Sequence, residues 1–486
     1  MAISLYTSRI VLSTLGFEDY GLYNVVGGVI ALFSFMQTAL TSATQRFLNF
    51  ALGENSFKQL RLTFSTSIYI HLFVAVFIFI IAQTIGLYFI LEKLNIPSER
   101  LNAAIWVYQM SICSCITIII SLPYNALIIA HERMDTFAYI SILEVVLKLV
   151  IVYFLKLIDS DKLIIYAILM FVIQLIIRCI YQLYCKKHFP ETQLIKSFDK
   201  SSIKKLGAFI GWNLFGNIAM IGLSQGINIL LNIYNGLAIN AARAIAVQVQ
   251  GAVNGFCSNF QVAINPQITK SCACRNYDYL ISLVIRSCKI SFFVLFLLAL
   301  PIIIEIDEIL IIWLNNVPNY TSNFVRIILC ISLIDSISNG LGAAIMANGK
   351  IKIFQITNSI ILLMTIPISL YLLKHNFNPI SVFITHWTFD LISQISRLLF
   401  VRYFYPNFSL IIFFRKVYLP VLMIVIISPI LPLFIHFILP TSILRVGVVI
   451  ITAIITTTLS IYLLGLDKSE KEFLHIYLHK IIIKIK

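Results

Sequence analysis

Apolar runs close to the ~20 residues that cross a bilayer recur along almost the whole chain. We place them near 20–45, 64–91, 103–130, 136–157, 163–184, 206–233, 241–267, 280–304, 322–347, 353–373, 379–400, 413–437 and 442–465. With 59% hydrophobic and 12% charged residues, the chain has too little polar surface to clothe a soluble domain, where roughly 25% charged is usual. It is therefore read as an all-α integral membrane protein of about fourteen transmembrane helices, the first drawn from 1–14. That first piece, MAISLYTSRIVLSTLG, is short for a span and lacks the basic start and small-residue cleavage site of a signal peptide. We expect a truncated or misassigned start, or a partial first helix.

Two echoes organise the spans. Residues 126–143, ALIIAHERMDTFAYISIL, resemble 343–360, AAIMANGKIKIFQITNSI, with identities at Ala126/Ala343, Ile128/Ile345, Ala130/Ala347 and Phe137/Phe354. Residues 84–97 and 305–318 share a closing Asn-x-Pro at a similar offset. A membrane chain that repeats at about 220 residues is built from two similar bundles, with function between them. An even number of spans per half makes the repeat parallel. The expected organisation is a six-helix lobe at 1–184, a linker at 185–205, a second six-helix lobe at 206–404, and two further helices with a basic tail at 405–486.

Alternate connections are basic, including Lys58 and Arg61, Arg133, the 185–205 segment, Lys270 and Arg275, and Lys350 and Lys352. The opposite ones hold Glu18, Asp19, Glu92, Glu99, Asp159, Asp161, Glu305, Asp307 and Glu308, with Lys93, Arg100 and Lys162 as exceptions. The positive-inside rule then puts the linker and the C-terminus in the cytoplasm. It also accounts for the net charge of +15 without nucleic acid.

No glycine loop followed by Lys-Ser/Thr is present to cradle phosphate, so no ATPase engine is visible. Cys113-x-Cys115 and Cys272-x-Cys274 place their thiols on different sides of a helix, which argues against a metal site of that kind. His71, His131 and His386 are isolated and read as hydrogen-bonding groups. We expect no cofactor, no metal and no catalytic activity.

Ionisable residues within apolar spans carry the functional reading, because each needs a partner or a water-filled cavity. Glu144 and Lys148 stand four apart on one helical face and are the leading ion-coupling candidates, with Asp335 and Asp390 as single acids beside them. Asp390 could reach Arg397 only indirectly. Arg9, Arg46 and Arg243 are candidate cavity cations, since the arginine fork suits phosphate and diphosphate. Arg286 and Lys289, which open the span at 280–304, are read as snorkelling to the interface. Amides crowd the seventh and eighth spans, among them Asn213, Asn217, Gln225, Asn228, Gln250 and Asn254, and would form an aqueous wall for sugars. Pro123 and Pro266 are expected to kink their helices.

The string SLYTSRIVLSTLGFEDYGLYNVVGGVIALFSFMQTALTSATQRFLNF resembles the start of bacterial polysaccharide flippases, which move O-antigen or capsule repeat units. They belong to the multidrug/oligosaccharidyl-lipid/polysaccharide exporter superfamily. NPQITKS at 265–271 and EVVLK at 144–148 are similar too. The resemblance implies two six-helix lobes around a central cavity, a terminal helix pair, and alternating access in the cytoplasmic (inner) membrane. It also implies cavity arginines at Arg9, Arg46 and Arg243, matched by position rather than by motif.

The expected cargo is an undecaprenyl-diphosphate-linked oligosaccharide flipped to the outer leaflet. Proton or sodium coupling, membrane lipid, and polysaccharide polymerase and chain-length machinery are the expected partners. A multidrug extruder of the same superfamily is the alternative, against which stands the excess of Arg over Asp within spans. A polysaccharide polymerase or acyltransferase would need a sizeable extracytoplasmic loop, and none is present. Carried forward by 217, the first echo sets Glu144 against Ile361 and Lys148 against Thr365, so the scaffold repeats but the charge pair does not.

Overall fold

The computed structural model describes residues 2–31, 33–92, 96–155, 160–195, 199–314, 316–468 and 470–472; the side chains of 2–9, 12, 13, 17, 24, 28, 29 and 31 fall outside that description. Every regular element among the described residues is helical. The chain divides into two compact units, residues 1–218 with 272–274, and residues 219–271 with 275–486. The division falls inside one long helix, just beyond the linker.

Unit 1 holds α1 (Ala2–Ala31), α2 (Ser34–Gly53), α3 (Phe57–Glu92), α4 (Leu101–Ala130), α5 (Met134–Leu155), α6 (Lys162–His188) and the first part of α7 (Lys200–Ala273). Burial identifies the central helix. The apolar window of α4 is 61% buried, against 22% to 28% for α3, α5 and α6. Accordingly α4 packs on α2, α3 and α6, and its end (Ala126, Leu127, Ile128, Ala130) joins Leu48, Phe64 and Cys185 in the core.

Unit 2 continues α7 and adds α8 (Tyr277–Leu314), α9 (Thr321–Asn348), α10 (Lys352–Lys374), α11 (Ile380–Phe404), α12 (Leu410–Ile438) and α13 (Ile443–Gly465). Here α8 and α9 are the buried centre, at 67% and 61%. The helix–turn–helix of the first echo recurs at the same place in each unit: α4 turns into α5, and α9 into α10.

Ten helices among the described residues are long and apolar enough to cross a membrane. Two expected spans, 206–233 and 241–267, lie in the single 74-residue α7, which bends at Gly236. The expected span at 20–45 is instead divided between α1 and α2. The helices run on through Pro123 and Pro266; the breaks in helical backbone fall at Gly16, Gly236 and Glu305. Glycine at φ 83°, ψ 170° (Gly16) and φ 81°, ψ −178° (Gly236) occupies a region essentially closed to other residues, so each bend depends on its glycine.

The linker is docked along its first half. Arg61 Nε donates to the Gln193 carbonyl at 2.7 Å, and Tyr69 Oη to that of Ile195 at 3.2 Å. Buried Glu191 meets His131 at 2.5 Å, and the His131 ring stacks on Phe189. The arginine out of place among the acids is also explained: Arg100 bridges Asp19 and Asp161. Asp161 in turn caps α6 through the amides of Leu163 and Ile164.

Lys289 does not snorkel. It is fully buried, and its Nζ donates to Glu470 at 2.6 Å, with Asp467 at 3.6 Å. The residues after α13 fold back to supply those carboxylates, which the local pattern around Lys289 could not show. Near the far end of α8, fully buried Glu305 meets His436 at 2.7 Å and Arg445 at 3.1 Å. One ion-pair cluster thus joins α8 to the segment after α13, and the other joins it to α12 and α13.

Candidate functional site

In unit 1 the charge pair stands in a cavity. Lys148 Nζ donates to Glu144 Oε1 at 2.6 Å, and Gln174 Nε2 of α6 donates to the same oxygen at 3.2 Å. The surrounding cavity of about 450 Å³ is also lined by Ser121, Asn125, Ser141 and Tyr181. Both charged side chains keep about a third of their exposure, at 29% for Glu144 and 34% for Lys148. Such a pair is half-solvated, and a carboxylate in that position can exchange a proton or cation without being dragged from a dry core.

A second cavity of about 450 Å³ adjoins it, with Ile118 and Gln174 in both walls. Its polar lining is uncharged and includes Ser34, Gln37, Ser111 and Ser114. Gln174 therefore stands between the two spaces as well as on Glu144. Sequence reasoning misses it, although an amide in the apolar run of α6 is a signal of the same kind as Glu144.

The other unit 1 candidates are placed separately. The Arg46 guanidinium lies over the rings of Phe47, Phe50 and Phe209 at 4.6, 4.9 and 5.5 Å, a cation–π cradle. Asn213 is buried, and Asn217 Nδ2 donates to the Phe35 carbonyl at 3.1 Å. The side chain of Arg9 lies outside the described residues.

In unit 2, Arg243 is buried on the limb of α7 that follows Gly236. Its Nη1 donates to Asn228 Oδ1, and its Nη2 lies 3.2 Å from the Ser224 carbonyl and 3.3 Å from the Ser224 hydroxyl. Asn228 Nδ2 donates to Gln225 Oε1 at 3.2 Å. Gln250 and Asn254 converge on Ser332 of α9 at 2.8 and 3.4 Å. One turn along α9, Asp335 lies 3.6 Å from Arg397 and interacts with buried Asp390. Asp390 interacts with both Asp335 and Arg397. His386 feels both Asp335 and Arg243.

The candidate residues thus form two polar constellations of opposite design. Unit 1 offers a half-solvated, self-neutralised pair. Unit 2 offers an arginine that, among the described residues, donates to neutral oxygens, and a pair of acids beside a further arginine.

No family model matches the chain, and no curated protein matches it. Solved structures do. One is described as the outward-facing conformation of a multidrug resistance MATE family transporter of the MOP superfamily: TM-score 0.68, 15% identity, 83% of this chain and 91% of that one. A MATE structure in the bent conformation gives TM-score 0.69 and 14% identity over 82% and 90%. A MOP superfamily transporter from Pyrococcus furiosus, for which a reverse polarity of the binding pocket is said to suggest a different function, gives 0.65 and 14% over 83% and 91%. Over most of its length this chain has the all-α, multi-pass membrane fold of those transporters.

Proposed function

We propose that the chain is a flippase. It would carry an undecaprenyl-diphosphate-linked oligosaccharide, an O-antigen, capsule or exopolysaccharide repeat unit, from the inner to the outer leaflet of the bacterial cytoplasmic membrane. The observation that carries this reading is Arg243: a buried guanidinium whose partners among the described residues, Asn228 and Ser224, are neutral. Neutral oxygens orient the fork without cancelling its charge, so the position stays cationic and suits a diphosphate better than an organic cation. The amides nearby supply donors and acceptors for sugar hydroxyls. In this reading 1–184 and 206–404 are the alternating-access lobes, the C-terminus is cytoplasmic, and Glu144 carries the coupling proton or cation.

A second reading is a MATE-type extrusion antiporter. It is favoured by the Asp335–Asp390 carboxylate pair, which would attract organic cations, and by the fold neighbours.

Reconstitution decides between them. In vesicles holding a lipid-linked oligosaccharide, the protein should speed its appearance in the outer leaflet, and Arg243→Gln should slow it at least tenfold. Glu144→Gln should abolish the pH or sodium dependence. Drug-gradient transport with no effect on the lipid would establish the antiporter instead.

A further inference from the structure

The uncharged cavity of unit 1 is left without a role by the charge pair beside it. Its volume of about 450 Å³ falls in the range of about 300–1,000 Å³ that small-molecule sites occupy. Four helices wall it: Tyr23 comes from α1, Gln37 from α2, Ser111 and Ser114 from α4, and Met170 and Gln174 from α6. Gln37 Nε2 lies 3.8 Å from the Cys115 sulfur, and Ser114 Oγ donates to the Met110 carbonyl at 2.8 Å. A hydroxyl that donates to its own helix keeps lone pairs for a donor on whatever enters.

The repeated scaffold does not ask for these hydroxyls. Both α4 and α9 are unbroken, so the 217 offset of the echo at their ends holds back along them. It carries Ser111 to Ile328 and Ser114 to Ile331, both buried in unit 2. Where unit 2 packs isoleucine, unit 1 keeps hydroxyls on an open space. No charged side chain lines that space among the described residues, so an ion entering it would be stripped of water with no counter-charge. A wholly apolar occupant would leave the hydroxyls and amides unpaired. An uncharged ring with hydroxyls on its rim meets both conditions, and Tyr23 and Met170 suit its C–H faces.

We infer that this cavity takes an uncharged pyranose ring, and that Gln174 ties its occupancy to Glu144. Gln174 Nε2 donates to Glu144 Oε1 at 3.2 Å, and the same side chain lines both cavities. The carboxylate thereby fixes which way the amide faces, and leaves Gln174 Oε1 and the second amide hydrogen to meet a ring hydroxyl. Glu144 is thus a positioning residue for the sugar, acting through Gln174. The coupling is reciprocal, so a bound ring also holds Gln174 on Glu144. This rests on the reading of the cargo as a lipid-linked oligosaccharide, and adds a sugar position in unit 1 to the amides of α7.

The full chain in phosphatidylcholine nanodiscs, titrated with the methyl glycosides of glucose, galactose, mannose and N-acetylglucosamine, tests it by saturation-transfer NMR. At least one should bind, and the amino sugar and uronic acid of the same ring should bind at least tenfold more weakly. Ser111→Ile/Ser114→Ile, which gives α4 the side chains of α9, should abolish binding. Gln174→Met should weaken it at least tenfold, and serves if the double variant does not fold. Glu144→Gln should cost about threefold, and nothing further in the Gln174→Met protein. Equal binding by the unaltered protein and the wall variants overturns the site, as does equal binding of the charged sugars. A Glu144→Gln loss that is absent, or that persists in Gln174→Met, overturns the link to Glu144. No binding of any glycoside also overturns the inference; the cargo reading is judged separately, by lipid-linked oligosaccharide flipping in vesicles.

Discussion

Gly16 and Gly236, 220 residues apart, hold almost the same backbone: φ 83°, ψ 170° in one and φ 81°, ψ −178° in the other. Their separation falls between the offsets of the two sequence echoes, so the bend belongs to the repeat. A second pair agrees. The π-turn at Ala82–Gly86 in α3 and the break at Glu305 in α8 stand at the aligned positions of the second echo. The repeat is carried less by identical side chains than by where the helices deform.

Gly16→Ala and Gly236→Ala should each destabilise the protein by about 1–3 kcal/mol, the cost of forcing a Cβ into this backbone region. Neither glycine has a neighbour within 4 Å of an added Cβ, so the effect would be strain rather than a clash. Apparent melting temperature of the purified protein reads it. Ala at Gly21 or Gly251, which also have open space but helical backbone, should cost nothing and is the control.

At Glu144 and Lys148 we expect the two single changes to be worse than the double. Glu144→Gln leaves an ammonium, and Lys148→Met a carboxylate, each without its 2.6 Å partner. Because both side chains keep about a third of their exposure, the loss should be about 1 kcal/mol each, well short of a dry buried pair. Glu144→Gln/Lys148→Met should recover most of that stability while remaining uncoupled in transport. Strict additivity of the two losses in thermal unfolding would show that the groups are independent.

Periodicity and composition make some of this legible in the sequence, and tertiary partnership hides the rest. The helical membrane class and the Glu144–Lys148 pair are visible because they depend on residues a few positions apart. Lys289 misleads because its carboxylates come from 467 and 470, nearly 180 residues later. Gln174 escapes notice for a related reason: in a run as apolar as α6, what matters is the helix that faces it. The bend at Gly236 is hidden because 206–267 reads as two spans whether the chain loops or merely kinks.

Asp199 gives a pH effect with a definite sign. It precedes α7 and accepts from the Ser202 hydroxyl at 2.6 Å and from the amides of Ser201 and Ser202 at 3.0 and 3.2 Å, bonds that hold its carboxyl below the usual value of 3.8. A carboxylate lowered in the folded state adds stability above its unfolded value and loses it as pH falls through the lowered one. Amide protection over 201–204, corrected for intrinsic exchange, should therefore persist down to pH 3.8 and fade only below. Asp199→Ala should lack it at every pH. Asp199 is only partly buried and its bonds are local, so the effect should stay within the first turn of α7.

Glu470 is the residue whose removal should show how the terminal helix pair is secured. Its carboxylate accepts from Lys289 Nζ at 2.6 Å and from the Asp467 amide at 2.8 Å, and it is itself largely buried, with 8% of its side chain exposed. Glu470→Ala leaves the fully buried ammonium, among the described residues, with Asp467 alone at 3.6 Å, and should cost about 3–5 kcal/mol. Lys289→Met should cost less, because Asp467, one of the two carboxylates it abandons, already keeps 55% of its side-chain exposure. Lys289→Met/Glu470→Ala should be nearly as stable as the unaltered protein, since an apolar side chain of similar length fills the site without a desolvated charge. The same logic extends to truncation. Removing residues 467–486 should be as damaging as Glu470→Ala, and Lys289→Met should rescue it, as read by monodispersity in size-exclusion chromatography. A truncated protein that stays monodisperse with Lys289 intact would mean the buried lysine has another counter-charge, and that the tail is not what holds α13 to α8.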